Sequence, residues 1–179
     1  VGNTLKTSTI WAIFTAAVVM VLYIAFAFRN IPRKLSPWKF GIIAVIALIH
    51  DLIITIGIFV LIGNFTSFEV NTLFVTALLI ILGYSVNDTI VIFDRVRENV
   101  FNQERGDTFK EVAERGLRQS IARSINTSLS TLIPLFSLFF LGGESIKWFV
   151  LTLIVGLIIG TYSSLFLATP LLVYWRKKK

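Results

Sequence analysis

Five long apolar segments constrain the fold of this chain more than any other feature of its sequence. Hydrophobic residues make up 55% of its 179 residues, whereas soluble domains contain about 45 to 50%. A helix of roughly 20 apolar residues crosses a hydrocarbon core about 30 Å thick. The pattern therefore predicts an all-α integral membrane protein, a bundle of five transmembrane helices that forms a single domain over residues 1–179. The predicted helices cover residues 9–28, 39–62, 70–93, 125–141 and 147–174.

The polar connection between the third and fourth predicted helices, residues 94–124, is long enough to contain a helix of its own. Thr108 and Glu111 have the spacing of a capping box, and apolar residues recur at helical spacing from Phe109 to Ile121. We expect this amphipathic helix to lie on the membrane surface, where it either rests on lipid headgroups or docks a partner.

Positive charges are distributed unevenly between the two sides of the predicted bundle. The loop after the first helix has four Lys and Arg residues, the 94–124 connection has seven and the C-terminal tail has four, against only Lys6 and Lys147 on the other side. The positive-inside rule predicts that the N-terminus is outside and the C-terminus cytoplasmic. A chain whose N-terminus is outside needs a preceding segment to bring it there, so we expect that such a segment is missing from this sequence. Because the basic residues adjoin membrane spans, we expect contact with anionic lipids and not with nucleic acid.

Residues that support metal or enzyme chemistry are scarce in this sequence. It contains no cysteine and one histidine, His50, so a metal cluster built from these residues is not expected. Ser85 in the sequence GYSVN lacks the second glycine of a nucleophile elbow. The sequence therefore predicts no cofactor, no metal and no enzymatic activity.

Asp88 is the most unusual residue of the third apolar segment. It lies about six residues, or ~9 Å, inside the predicted cytoplasmic end of the helix. An aspartate at the centre of a membrane helix costs about 2.5 to 3.5 kcal/mol. Desolvation favours its protonated form and a nearby cation favours its ionised form. A carboxyl group that alternates between these states would carry a proton.

A polar stripe on the fourth predicted helix supplies the expected cation, Arg123. We expect this stripe to point into the bundle and to form a hydrated ion path with Asn87 and Asp88. The alternative is that the polar residues only hold helices together and that Arg123 reaches the cytoplasmic boundary. The other members of the predicted path are Asn126, Thr127, Ser130 and Thr131.

Two further features concern the second and last predicted helices. Asp51 lies deeper in the membrane than Asp88, next to His50, and is interpreted either as a residue that holds helices in register or as a secondary proton site. Small residues recur every four positions in the last helix, at Gly156, Gly160 and Ser164. This spacing predicts close helix packing, against another helix of this chain or against another subunit.

Three motifs carry a resemblance to a known family. The sequences GYSVNDTIVIFDRVREN at 83–99, RSINTSLSTL at 123–132 and HD at 50–51 resemble SecF, the membrane subunit of bacterial SecD/SecF protein-export complexes in the RND superfamily. The chain would correspond to the last five of the six helices in that family. The resemblance implies that the first helix and the large extracytoplasmic domain are absent.

The resemblance also implies a location, partners and a mechanism. It implies a multi-pass protein of the bacterial cytoplasmic (inner) membrane that binds SecD beside the SecYEG channel, with YajC as a further partner. Such a complex uses the proton-motive force to draw translocating preproteins across the membrane. Asp88 would be the proton-carrying acid and Arg123 its cation. The coupling ion is expected to be H⁺, with Na⁺ as the alternative, because carboxylate, amide and hydroxyl oxygens can bind either.

Two other functions remain open on the sequence alone. One is an RND-type proton-coupled transporter of small molecules, which would share the ion site but carry another cargo. The other is a structural membrane subunit in which the polar residues only hold helices together. The structural subunit, unlike the proton-coupled proteins, would tolerate Asp88→Asn as long as it assembled.

Overall fold

All the regular elements in the described part of the chain are helices. The computed structural model describes residues 2–29, 36–103 and 106–177. Five helices in these ranges are long and apolar enough to cross a membrane, which agrees with the predicted all-α membrane fold. The predicted orientation of the termini stays a prediction. The helices are α1 Gly2–Ala27, α2 Pro37–Gly63, α3 Thr72–Phe101, α4 Phe109–Leu141, α5 Glu144–Ser163, the π-helical segment Ser164–Ala168 and α6 Thr169–Lys177.

The N-terminal ends of α3 and α4 are capped by side chains. The side chain of Asn71 accepts a hydrogen bond from the backbone N–H of Phe74 at 3.0 Å and caps α3. At the start of α4, the Thr108 side chain accepts from the Glu111 backbone, and the Glu111 carboxylate accepts from the Thr108 N–H at 2.7 Å. The capping box predicted from the sequence is therefore confirmed.

The prediction of a separate surface helix within residues 94–124 is wrong. α3 continues to Phe101, and α4 runs without a break from Phe109 to Leu141, so the amphipathic segment is an extension of the fourth membrane helix. Its apolar face packs on the extended end of α3. A Cβ atom at Gly116 would lie 3.0 Å from the Cα of Val96, and the Asn99 amide donates to the Gln119 side chain at 2.8 Å. A neighbouring helix, and not the headgroup region, covers the apolar face.

Two hydrophobic clusters fill the bundle, one toward each end. The first includes Phe28, Phe40 and Phe93, whose rings lie 5.2 Å apart in each adjacent pair. The second includes Phe59 and Phe74, with ring centroids 5.3 Å apart. Along α3 the change from one cluster to the other falls within the segment that contains Asp88. Asp88 therefore lies where the two clusters meet.

A proline explains why the last membrane segment is not a continuous α-helix. Pro170 lacks a backbone N–H, and its ring would crowd the carbonyl of Phe166 in a regular α-helix. The π-helical segment Ser164–Ala168 ends two residues before Pro170 and contains Phe166. A widened turn accommodates the proline without ending the helix. Ser164 is the first residue of this segment, and Ser163 is the last residue of α5.

The small residues of α5 pack against α3 of the same chain. A side chain at Gly156 would overlap with the side chain of Ile81, and a Cβ atom at Gly160 would lie 3.1 Å from the Cβ of Ser85. The sequence predicted close packing here but left the partner open. The structure identifies the partner as α3, so the GxxxG element brings α5 close to the segment that contains Asp88.

Replacing Gly156 with leucine is expected to destabilise the bundle. The new side chain would occupy the volume of Ile81, and overpacking of this kind typically costs about 1 to 3 kcal/mol. Thermal unfolding of the purified membrane protein should show a lower midpoint. The matched control is Gly83→Leu, since a Cβ atom at Gly83 meets nothing within 4 Å. Equal midpoints for the two variants would contradict the close approach of α5 to α3.

Candidate functional site

Asp88 lies inside the bundle, where three helical elements meet. Its exposed fraction is 8%. The hydroxyl of Ser124 on α4 donates to one carboxylate oxygen at 2.6 Å, and the hydroxyl of Ser164 donates to the other. Two neutral donors from α4 and from the π-helical segment therefore hold the carboxylate of α3.

Ser124 belongs to a row of buried serines on α4, at Ser120, Ser124 and Ser128. Ser120 donates to the backbone carbonyl of Gly116, and Ser128 donates to that of Ser124, both at 2.9 Å. The Ser128 hydroxyl also lies 2.6 Å from the Thr161 hydroxyl on α5. This serine row, and not the predicted stripe, faces the bundle. The four-residue spacing of small residues that begins at Gly116 was the sequence signal for it.

The expectation that the predicted stripe points into the bundle is wrong in this chain. Arg123 and three of the other predicted residues on α4 are exposed, and Thr131 is half-buried. Asn87 on α3 is exposed as well. The physical reason is that helices approach closely over small side chains, so α4 turns its serines inward and its larger polar groups outward. The three other exposed residues on α4 are Asn126, Thr127 and Ser130.

Arg123 forms no hydrogen bond or ion pair with Asp88 within the described ranges. It lines a cavity of about 270 Å³ between α1, α3 and α4. Arg97, also in the lining, is paired with Asp94 at 2.6 Å. The role of Arg123 as the cation for Asp88 stays a prediction. The remaining lining residues are Ala27, Phe28, Ile90, Val91, Arg95, Gln119 and Ser120.

Asp51 on α2 occupies a second buried polar site. It has no exposed surface, and one of its carboxylate oxygens accepts from Ser85 of α3 at 2.5 Å and from Ser163 of α5 at 2.7 Å. The other oxygen lies 3.1 Å from Nδ1 of His50, whose side chain is 31% exposed. The side chains of His50 and Asp51 are therefore in contact, although successive residues of a helix point about 100° apart.

Two consecutive serines connect the two acids. Ser163, the last residue of α5, donates to Asp51, and Ser164, the first residue of the π-helical segment, donates to Asp88. Successive helical residues point in directions about 100° apart, so one turn of helix reaches both α2 and α3. Sequence reasoning assigned Ser164 to helix packing only and did not single out Ser163, Ser124 or Ser85 as partners of the acids.

The chemistry available at both sites is that of buried carboxylates with hydroxyl donors. Burial favours the protonated form of a carboxyl group, and hydrogen bonds to the ionised form favour ionisation. No cluster of three or more metal-ligating side chains occurs in the part of the chain that the structure describes. Oxygen donors of this kind suit a proton or a hard cation such as Na⁺.

The helix bundle and its two buried carboxylates define a multi-pass membrane protein with ionisable groups in its interior. The family model described as "Protein export membrane protein SecD/SecF, C-terminal" matches residues 1–178. The chain belongs to this SecD/SecF C-terminal family.

Similar proteins agree with this assignment. The protein translocase subunit SecF of Thermobaculum terrenum is 44% identical over 178 residues, which are 99% of this chain and 55% of that protein. The protein translocase subunit SecDF of Thermus thermophilus is 36% identical over 179 residues, 100% of this chain and 23% of that protein. A crystal structure of SecDF in a super-membrane-facing form has a TM-score of 0.78 at 37% identity and covers 90% of this chain and 20% of its own. The chain thus spans about half the length of the T. terrenum SecF.

Proposed function

We propose that this chain is the membrane-embedded part of a SecF-type protein-export subunit in which Asp88 binds and releases the coupling ion. The observation that carries the proposal is the burial of Asp88 between hydroxyl donors from two other helical elements. An ionisable residue inside a membrane bundle marks an ion pathway more often than a structural contact. Because the chain belongs to a protein-export family, the proposed process coupled to movement of the ion is protein export.

The proposed partners are SecD, the SecYEG channel and YajC. The T. thermophilus relative is a SecDF chain, which supports SecD as the partner of this one. The proposed location is the bacterial cytoplasmic membrane, with the N-terminus outside, the C-terminus inside and the SecYEG channel and YajC alongside. Arg123 on the exposed face of α4 is the cation that approaches Asp88 in another packing state of the complex.

The proposed mechanism is a change in helix packing that depends on the charge of Asp88. An ionised carboxylate accepts strong, charge-assisted hydrogen bonds from Ser124 and Ser164 and so ties α3 to both of their elements. Protonation removes the charge and weakens both bonds. The Ser164 hydroxyl has a second acceptor ready, the backbone carbonyl of Thr161 at 3.0 Å. Loss of the carboxylate bond therefore leaves the Ser164 hydroxyl with an acceptor, so the contact between α3 and the π-helical segment is free to repack.

The cavity beside Arg123 is the proposed route between Asp88 and the cytoplasm. Its lining includes Ile90 and Asp94, which follow Asp88 along α3, and Ser120, which lies one turn from Ser124 on α4. Water in this cavity would exchange protons with Asp88. The side chains of Arg95, Arg97 and Arg123 give the cavity a net positive charge against the single acid Asp94, which would repel other cations.

A structural role is the second candidate, because serine hydroxyls bond both carboxylates and no Lys or Arg side chain is bonded to either in the described part of the chain. Hydrogen bonds between membrane helices hold bundles together in proteins that move no ion. This reading and the ion-coupled one differ in whether the charge of Asp88 has to change during function. Asp88→Asn, which keeps the side chain neutral, distinguishes the two readings.

The proposed role in export is tested with a chimera. This chain replaces the matching segment of a full-length SecF relative, which is produced with its own SecD in cells depleted of SecF; we call this the chimeric complex. Export of a preprotein into inverted membrane vesicles is then measured with and without a protonophore. We expect the chimera to restore the part of export that the protonophore abolishes. A membrane-inserted chimera that restores none of it would contradict the proposal.

A further inference from the structure

The proposed mechanism uses Asp88 but leaves a second buried acid unexplained. Asp51 is fully buried and accepts hydrogen bonds from two neutral hydroxyls. A purely structural contact at this position would be served by an asparagine or a threonine, without the cost of burying an ionisable group. The residue is also in contact with His50, whose partial exposure connects it to the outside of the bundle.

We propose that Asp51 is a second protonation site, and that Ser163 and Ser164 couple its proton occupancy to that of Asp88. The inference rests on the proposed function, in which Asp88 itself exchanges a proton. It adds a second acid, a route by which protons reach it, and a connection between the two acids that lies within a single helical turn.

His50 is the group that exchanges protons with Asp51. A neutral His50 that donates its Nδ1–H to the carboxylate oxygen 3.1 Å away first takes up a proton at Nε2 from water that reaches the partly exposed ring. The proton on Nδ1 then moves to the carboxylate oxygen, leaving a neutral imidazole with its proton on Nε2 and a neutral carboxylic acid. The groups that face Asp51 from α3 and α5 are the neutral hydroxyls of Ser85 and Ser163. Among the described residues, His50 is therefore the titratable side chain bonded to Asp51.

Each of the two serines has an alternative acceptor in the backbone. The hydroxyl of Ser163 lies 3.2 Å from the carbonyl of Gly160, and that of Ser164 lies 3.0 Å from the carbonyl of Thr161. The backbone N–H of Ser164 also bonds both of these carbonyls. Protonation of either acid redirects a hydroxyl onto the same short stretch of backbone. The position of one serine therefore affects the hydrogen bond of the other.

The turn that holds both serines is the boundary between α5 and the π-helical segment. π-Helical turns inside α-helices are frequent at functional sites. Beyond this turn, Ala168 and Leu172 are buried in the cluster that contains Phe40 and Phe93. A change in the turn is therefore transmitted to the first hydrophobic cluster, near the end of α3 that lines the cavity.

The test is infrared difference spectroscopy of the chimeric complex in lipid vesicles, with ¹³C-labelled aspartate to identify carboxyl bands. We expect two protonated-carboxyl bands that titrate with pH, one lost in Asp51→Asn and the other lost in Asp88→Asn. In Asp51→Asn, the midpoint of the remaining Asp88 band should move by on the order of one pH unit, as expected for coupled groups. In a Ser163→Ala background, the same change at Asp51 should leave the Asp88 midpoint nearly unmoved.

Thr152→Ala is the matched control, because Thr152 is a buried hydroxyl of α5 that donates to its own helix at Trp148. It should retain both bands and the full shift between them. The proposal is overturned if no band depends on Asp51, if the Asp88 midpoint is the same with and without Asp51, or if the shift survives Ser163→Ala.

His50→Gln provides a measurement that does not require removal of either acid. If His50 delivers the proton, the Asp51 band should appear more slowly after a pH jump, by on the order of a hundredfold, while the Asp88 band keeps its rate. An unchanged rate overturns the route through His50. These failures differ from failure of the proposed function, which would appear as protonophore-sensitive export that survives Asp88→Asn.

Discussion

Asp88→Asn is expected to abolish the gradient-dependent part of export by the chimeric complex while leaving the complex assembled. Asparagine has nearly the same shape as aspartate, and its amide oxygen can still accept a hydrogen bond from Ser124 or Ser164. It cannot exchange a proton. Each unit charge that crosses the membrane supplies about 2.3 kcal/mol per 100 mV, or roughly fiftyfold in an equilibrium constant. The variant should lose that contribution, so that its export rate equals the rate of the native complex with protonophore.

Glu98→Gln is the control for this experiment. Glu98 is an exposed acid on the same helix, paired with Arg95 at 2.6 Å, and exposed pairs of this kind contribute about 0 to 1 kcal/mol. It should retain protonophore-sensitive export. If Asp88→Asn also retained it, the charge of Asp88 would not change during function, and the structural-subunit interpretation would replace the proposal. Repeating the assay with a sodium gradient alone distinguishes Na⁺ coupling from H⁺ coupling.

The double variant Ser124→Ala, Ser164→Ala is expected to have the second largest effect. It removes both observed donors to the Asp88 carboxylate, and hydrogen bonds to charged groups contribute about 1.5 to 3 kcal/mol each. We expect a lower thermal midpoint at neutral pH and loss of gradient-dependent export, because the charge of Asp88 no longer ties α3 to α4 and the π-helical segment.

Ser128→Ala is matched to this variant, since Ser128 is buried on the same face of α4 but bonds Thr161 and a backbone carbonyl instead of a carboxylate. It should retain gradient-dependent export. If Ser128→Ala and the double variant lost export to the same extent, the effect would belong to helix packing in general and not to Asp88.

The sequence was sufficient to predict the five membrane helices, the capping box at Thr108 and the burial of Asp88. These features depend on local composition and spacing, which tertiary contacts do not override here. The sequence was not sufficient to predict which face of α4 points into the bundle. Arg123 and Ser124 are adjacent residues about 100° apart on the helix, and each belongs to a row of polar residues. Side-chain size decides between the rows, because helix packing in membranes favours small residues.

The amphipathic segment that begins at Phe109 illustrates another limit. Its periodicity indicates an apolar face but does not say what covers that face. A lipid surface and a neighbouring helix produce the same pattern. The deciding contact, between Gly116 and Val96, joins residues that are distant in sequence. Pro170, in contrast, was a usable signal for the π-helical segment that precedes it.

The continuity of α4 has a mechanical consequence. Ser124, the contact to Asp88, lies close to the middle of a helix that runs from Phe109 to Leu141. At 1.5 Å per residue, the arms on its two sides are about 22 and 25 Å long. If the helix pivots rigidly at Ser124, a tilt of about 10° moves each tip by roughly 4 Å, in opposite directions. A rigid tilt of α4 about the ion site would therefore couple a change at Asp88 to displacements of similar size at both membrane surfaces.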